Sequence, residues 1–542
     1  MPIKPKLAWF LAFTAVFAVL AGFVFWGTWS TDMAPVMPDC PTSYPVHWFR
    51  AALKGWLENG KFAPAEAINW IGHPAVWTEF QYAFAAYMAG LGMVYFLRGR
   101  GLPRVAAYGA GLFLAFSGYW FSLFSAGHLG WFQWMTYGVF VFGLIDRALT
   151  KGKVRHWLLL GACLAWGSMR QPDLWLLFTV FSAVYFVFRA TCELLARRRA
   201  EASRVRPTLI AWAKGSLLAL AALLCIGLAS FRSAFVNDLA GRDQQIAEGQ
   251  TVGGAAKDDA EKRWIFTTNW SMPPEATKEF WNDSVEGDTS CPMTLAIGAK
   301  RHTGVKPYTG RLGRPLGAAQ GNYRQHSLYV GFVTCIFALA GAFLGIFKKN
   351  GTVVFLVVSA VVFWLFSMGR FCEPVYRIVY ALPFGDYLRA PVKWHHLTEF
   401  CLTALAGYGL CFWTQMPGKG VGPRAKTIAA AVAVLIGVCN LAAVDRLYCA
   451  PHKAEADMQL VDARALQDPN VQAQMANLKA KVIGTIQGAA LVEIPHPKKK
   501  AEPLPELPTP ATVTLVLGIL SLVSTLSVAG ISLASLRKGA RA

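Results

Sequence analysis

"LAWFLAFTAVFAVLAGFVFWGTW", residues 7–29, carries no charge over 23 positions. As a helix rising about 1.5 Å per residue it is long enough to cross the roughly 30 Å hydrocarbon core of a bilayer. It follows Lys4 and Lys6, as a signal peptide would, but no clean small-residue cleavage site precedes Asp32. The run therefore reads as a retained first helix. Eleven further apolar runs follow, at roughly 79–97, 105–125, 129–146, 157–170, 174–192 and 209–231, then 327–347, 351–368, 395–413, 427–445 and 511–536. A chain that is 55% hydrophobic and only 15% charged, with 36 Phe and 20 Trp, is too apolar for a soluble protein of 542 residues. The fold expected is all-α and integral to a membrane, a polytopic bundle of about 12 transmembrane helices with large external loops.

The net charge of +21 could suggest a nucleic-acid partner, but its distribution argues for topology instead. Even-numbered connections hold "RGRGLPR", "RALTKGKVRH", "RRRAEASRVRP", "KKNG" and "KGVGPRAK", and "RKGAR" lies near the end. With Lys4, Lys6, Arg189 and Lys214, these take 24 of the 52 basic residues, against three of the 31 acids on that side (Asp146, Glu193 and Glu201), so one side is strongly positive. That is the bias of cytoplasmic loops, and it places both termini in the cytoplasm and the large loops outside. No nucleic acid is needed to explain the charge; lipid headgroups suffice.

The chain divides into 1–231, with helices 1 to 7 and a first external loop 30–78; an external loop 232–326; and 327–445, with helices 8 to 11 and an external loop 369–394. An external segment 446–510 and a last helix with a cytoplasmic tail, 511–542, complete it. Residues 452–482 read as a polar helical stretch, and "IPHPKKKAEPLPELPTP" as an extended linker. Of eleven cysteines, Cys40, Cys291, Cys372 and Cys449 fall in external loops, where they either pair in one of three ways or stay free.

The chemistry collects on the external side. Asp32 and Asp39 follow helix 1, where a carboxylate can take a proton or help hold a divalent cation, unless they merely end the helix and form a turn. His73 and Glu79 lie near the entry of helix 2, and Glu79 also suits a helix start. His128 sits in the turn between helices 3 and 4, with aromatic neighbours that would serve any interface. Arg170 and Asp173, in "GSMRQPD", either pair with each other or leave Arg170 to grip a phosphate. "FGDYLRAPVKWHHL", residues 384–397, places Arg389 and Lys393 four apart before a helix that holds His396 and Glu399. If helical, the two cations share a face at a helix start and suit an anion, the alternative being contact with headgroups. No Walker, HExxH, CxxC, nucleophile-elbow or Rossmann motif occurs.

The stretches "AGLGMVYFLRGRGLPRVAAYGAGLFLAFSGYWFSLFSAGH", "FGLIDRALTKGKVRHWLLLGACLAWGSMRQPD", "TTNWSMPPEATKEFW", "HSLYVGFVTCIFALAGAFLG" and "LPFGDYLRAPVKWHHLTEFCLTALAGYGL" together resemble the bacterial YfhO-like membrane proteins, which are regarded as lipid-linked glycosyltransferases of the GT-C type. The resemblance implies an external active site that uses a polyprenyl-phosphate-linked sugar. It makes Asp32 or Asp39 the base or metal contact, Arg389 a donor-phosphate ligand and His128 the histidine after the "SG" of helix 3. The first loop lacks an adjacent acidic pair, so a metal is not implied strongly; Mg or Mn would be the candidate.

The function expected is transfer of a sugar from a polyprenyl-phosphate donor to an acceptor glycan, lipid or protein of the cell envelope, in the bacterial cytoplasmic (inner) membrane. Asp39 or Asp32 would be catalytic, and Arg389, Lys393 and Arg170 would bind the donor phosphate. His128, His73, Glu79, Asp173 and His396 would contact substrate. A lipid-linked saccharide flippase would instead need a polar path, which the nearly charge-free predicted helices do not supply. A non-catalytic assembly protein would depend on the loop surfaces alone.

Overall fold

A computed structural model describes residues 5–25, 74–126, 129–168, 172–247, 258–282, 327–382, 385–415, 422–449, 456–462, 469–477, 481–486 and 489–495. The first helices are α1 (Pro5–Val24), α2 (Pro74–Gly99), α3 (Arg104–Ala115), α4 (Gly118–Ala126) and α5 (Leu129–Lys151). Then come α6 (Val154–Ser168), α7 (Pro172–Ala200), α8 (Val205–Ala247) and the short α9 (Asp259–Thr268). The second half adds α10 (Phe332–Phe347), α11 (Gly351–Ser367), α12 (Glu373–Tyr380), α13 (His395–Gln415) and α14 (Pro423–Cys449).

Among the described residues, five helices are long and apolar enough to cross a membrane: α1, α2, α7, α8 and α14. A sixth is added if α11 and the segment Gly369–Tyr380, bent by 112°, count as one span. The expected run at 105–125 is broken. Gly118 donates its N–H to Tyr329 O at 2.7 Å instead of back along the helix, so α3 ends and α4 starts afresh. α8 continues past residue 231, the expected end of the helix, as far as Ala247. The run at 511–536 lies outside the described residues.

The described bundle is helical, as expected, and three strands are added near the end. The strands β1 (Ala456–Asp462), β2 (Lys481–Ile486) and β3 (Ala489–Pro495) pair as an antiparallel sheet in the order β1-β3-β2, with a helix α15 (Pro469–Asn477) before β2. Ala456 pairs with Pro495 and Asp462 with Ala489. Of the polar helical stretch expected at 452–482, Pro469–Asn477 is helical, whereas Ala456–Asp462 is a strand; β-branched and aliphatic residues in "VIGTI" and "AALVEIP" favour the two strands that follow.

α13 is the central helix, with 17 of its 21 residues buried. It packs against α3, α10, α11 and α14. Its contact with α10 depends on small residues: a Cβ at Gly409 would stand 2.0 Å from Phe337 O, and one at Gly341 2.1 Å from Leu405 O. Backbones this close replace the missing hydrophobic drive between helices in lipid with van der Waals contact.

Candidate functional site

The stretch leading into α13 is not the helix that the Arg389–Lys393 spacing allows. It forms two short 3-10 turns, Gly385–Tyr387 and Pro391–Trp394, separated by Ala390 in a left-handed conformation (φ 65°). Trp270 opposite is also left-handed (φ 59°), and its carbonyl accepts Val392 N–H at 3.2 Å. Two non-glycine residues in this region store strain, and such strain clusters at functional loops. The consequence is that the two cations part. Arg389 is half-buried over the rings of Trp270 (4.8 Å) and Phe266 (5.3 Å), whereas Lys393 is buried with its Nζ 5.2 Å from the centre of the Trp131 ring.

The loop before α13 is tied down on its outer side. Arg263 lies 3.3 Å from both Asp386 and Asp243, and Thr267 Oγ1 donates to Asp386 O at 2.6 Å. Burial works against the Arg263 charge, but Tyr387, Asp386 and Asp243 outweigh it and raise the guanidinium pKa.

Inside the bundle, Lys393 lies in the second 3-10 turn, and His396 and Glu399 follow at the start of α13. His396 and Glu399 are fully buried. Glu399 Oε1 accepts from Ser117 Oγ, which the break between α3 and α4 delivers to it. The other oxygen, Oε2, lies 3.5 Å from His396 Nδ1, and neither atom has a hydrogen-bond partner. The His396 ring stacks on Trp120 at 4.3 Å and meets Tyr119 at 4.4 Å and Trp131 at 5.3 Å. An amine, an imidazole and a carboxyl group thus share an aromatic-walled interior. Burying such groups is costly, and within a membrane bundle they mark function.

At the other end of the bundle lies a second polar cluster. Asp146 receives Arg189 Nε at 2.7 Å and Tyr185 OH at 3.0 Å, with Arg100 at 3.6 Å. Phe96, Phe142 and Phe181 precede Arg100, Asp146 and Tyr185 by one turn each, and all three meet Phe400, the neighbour of Glu399. These buried rings form an apolar layer between the two clusters. Interior ionisable residues are therefore more numerous than the sequence reading allowed, yet they form no continuous polar path among the described residues.

Of the expected site residues, the structure brings Lys393 and His396 together and holds Arg389 apart from them. Asp32, Asp39, His73, His128 and Arg170 lie outside the described residues, as do the side chains of Glu79 and Asp173. Among the described residues no group of three or more His, Cys, Asp or Glu is placed to hold a metal ion. Sequence reasoning passed over Ser117, Trp131 and, as a buried acid, Glu399. The signal for the last was present: two histidines and a glutamate at the start of an apolar run. No family model matches this chain, and neither a curated protein nor a solved structure matches it.

Proposed function

We propose that the protein is a glycosyltransferase of the bacterial cytoplasmic membrane, taking a sugar from a polyprenyl-phosphate donor to an external glycan, lipid or protein acceptor. The reading includes a GT-C-like bundle of about 12 spans, both termini in the cytoplasm, and a site where α13 begins. The observation that carries it is the buried Lys393 ammonium, held over Trp131 beside His396 and Glu399. A fixed cation in a water-poor site suits a phosphate whose negative charge grows as it leaves.

In the proposed reaction the acceptor hydroxyl oxygen attacks the anomeric carbon while Asp39 or Asp32 takes its proton. The bond from that carbon to the phosphate oxygen breaks, and the phosphate departs with the electron pair. Lys393 stabilises it from inside, while Arg389 meets the donor at the rim. The aromatic layer of Phe96, Phe142, Phe181 and Phe400 weighs against a flippase, since it interrupts the polar route a transported head group would need.

Purified protein supplied with labelled polyprenyl-phosphate sugars tests the proposal. Transfer by wild type, lost in Asp39→Asn or Asp32→Asn with folding intact, supports it. A wild-type protein inert across a broad donor panel, with both variants still rescuing a cellular defect, replaces it with a non-catalytic assembly role.

A further inference from the structure

A groove of about 500 Å³ opens between α7 and the α10–α11 corner, at the end of the bundle remote from the start of α13. Phe188 and Phe355 stack at 4.5 Å to form its base, and Val354 and Val358 are its exposed wall, so its length along α11 from Gly351 is about 10 Å. Its walls are almost wholly apolar, but its mouth is cationic. Lys349 lines it. Thr352, next to Gly351 in the groove, accepts Arg100 Nη2 at 2.7 Å, while the buried Arg100 Nε has no partner. Among the described residues, Arg100 and Arg189 share the Asp146 carboxylate, so cationic charge exceeds anionic in that cluster.

Lys349 itself is placed against local preference. It closes α10 by donating N–H to Ile346 O at 2.9 Å in a left-handed conformation (φ 51°), a position that glycine fills without penalty. Backbone economy does not explain a lysine there, whereas a negative group at the mouth does. The apolar walls fit no free anion, and the cationic mouth gives no advantage to a lipid without net charge. We infer that this groove binds an anionic glycerophospholipid, one acyl chain lying against Val354, Phe355 and Val358 and the phosphate meeting Lys349 at the mouth. Basic pockets between membrane helices recognise such head groups.

The test is thermal unfolding of the purified full chain in detergent, titrated with phosphatidylglycerol, with phosphatidylcholine of the same acyl chains, or with inorganic phosphate. Phosphatidylglycerol alone raises the melting temperature. Lys349→Gly melts no lower than wild type without lipid, yet binds phosphatidylglycerol roughly fivefold more weakly, the loss of about 1 kcal/mol for one basic residue near an anionic lipid. Val358→Trp, which fills the groove, weakens binding as well. Equal stabilisation by both lipids, the same shift from inorganic phosphate, or wild-type affinity in Lys349→Gly overturns the inference.

Discussion

Ser117 and Glu399 are 282 residues apart, yet one hydrogen bond joins them inside the bundle. Ser117→Ala leaves a buried carboxylate oxygen unpaired and is expected to lower stability by about 1–3 kcal/mol in denaturant or thermal unfolding. Glu399→Gln keeps the shape and the acceptor for Ser117 while removing a buried ionisable group. Its stability should equal or exceed that of wild type; a loss larger than that of Ser117→Ala would mean that the carboxylate is a structural tie. Lys393 and His396 were legible in the sequence because they stand side by side in one polar stretch between apolar runs. Their partner Ser117 was not, because no local pattern records which distant helix break will meet a given side chain. The divergence of Arg389 from Lys393 was hidden for a related reason. It turns on a left-handed Ala390, and alanine gives no warning of that conformation.

Helices were easier to read than their interruptions. Long uncharged runs have no other stable use, so α1, α7, α8 and α14 could be placed from composition alone. The break at Ser117 is a tertiary event, set by the Tyr329 carbonyl taking Gly118 N–H. The sheet at 456–495 was missed because a polar segment with mixed propensities is decided by strand pairing. At this scale the contact between α10 and α13 makes the sharpest prediction. Gly409→Ala puts a methyl group against Phe337 O and should cost about 1–3 kcal/mol by overpacking. Gly22→Ala, in α1 with nothing near its Cβ position, should be neutral or stabilising by up to about 1 kcal/mol. Melting temperatures of the two variants, compared with wild type, check both; equal shifts would contradict the packing described for α13.

The molecule as a whole is polarised. The end of the bundle where α2 and α5 finish and α11 begins gathers Arg100, Asp146, Arg189 and Lys348, the last over Phe412 near the end of α13. The opposite end holds Lys393, His396 and Glu399, sealed from the first by rings. This polarity was legible in the charge distribution, though the aromatic layer was not, since phenylalanines facing inward and outward look alike in sequence. The proposed topology has the basic end facing the cytoplasm. In a cysteine-free background, a cysteine at exposed Lys153 should then react with membrane-impermeant reagent only from the cytoplasmic side, and one at exposed Asn282 only from outside. Labelling of both from one side would contradict the arrangement.

The central claim is that the buried cation at the start of α13 works on a lipid-linked sugar phosphate, and one comparison reaches it most directly. Wild type and Lys393→Met are assayed for transfer of labelled sugar from polyprenyl-phosphate donors, with melting temperature measured on the same samples. A variant that melts at or above the wild-type temperature but transfers about a hundred- to a thousandfold more slowly is the predicted result. Undiminished transfer by a well-folded Lys393→Met protein would contradict the account.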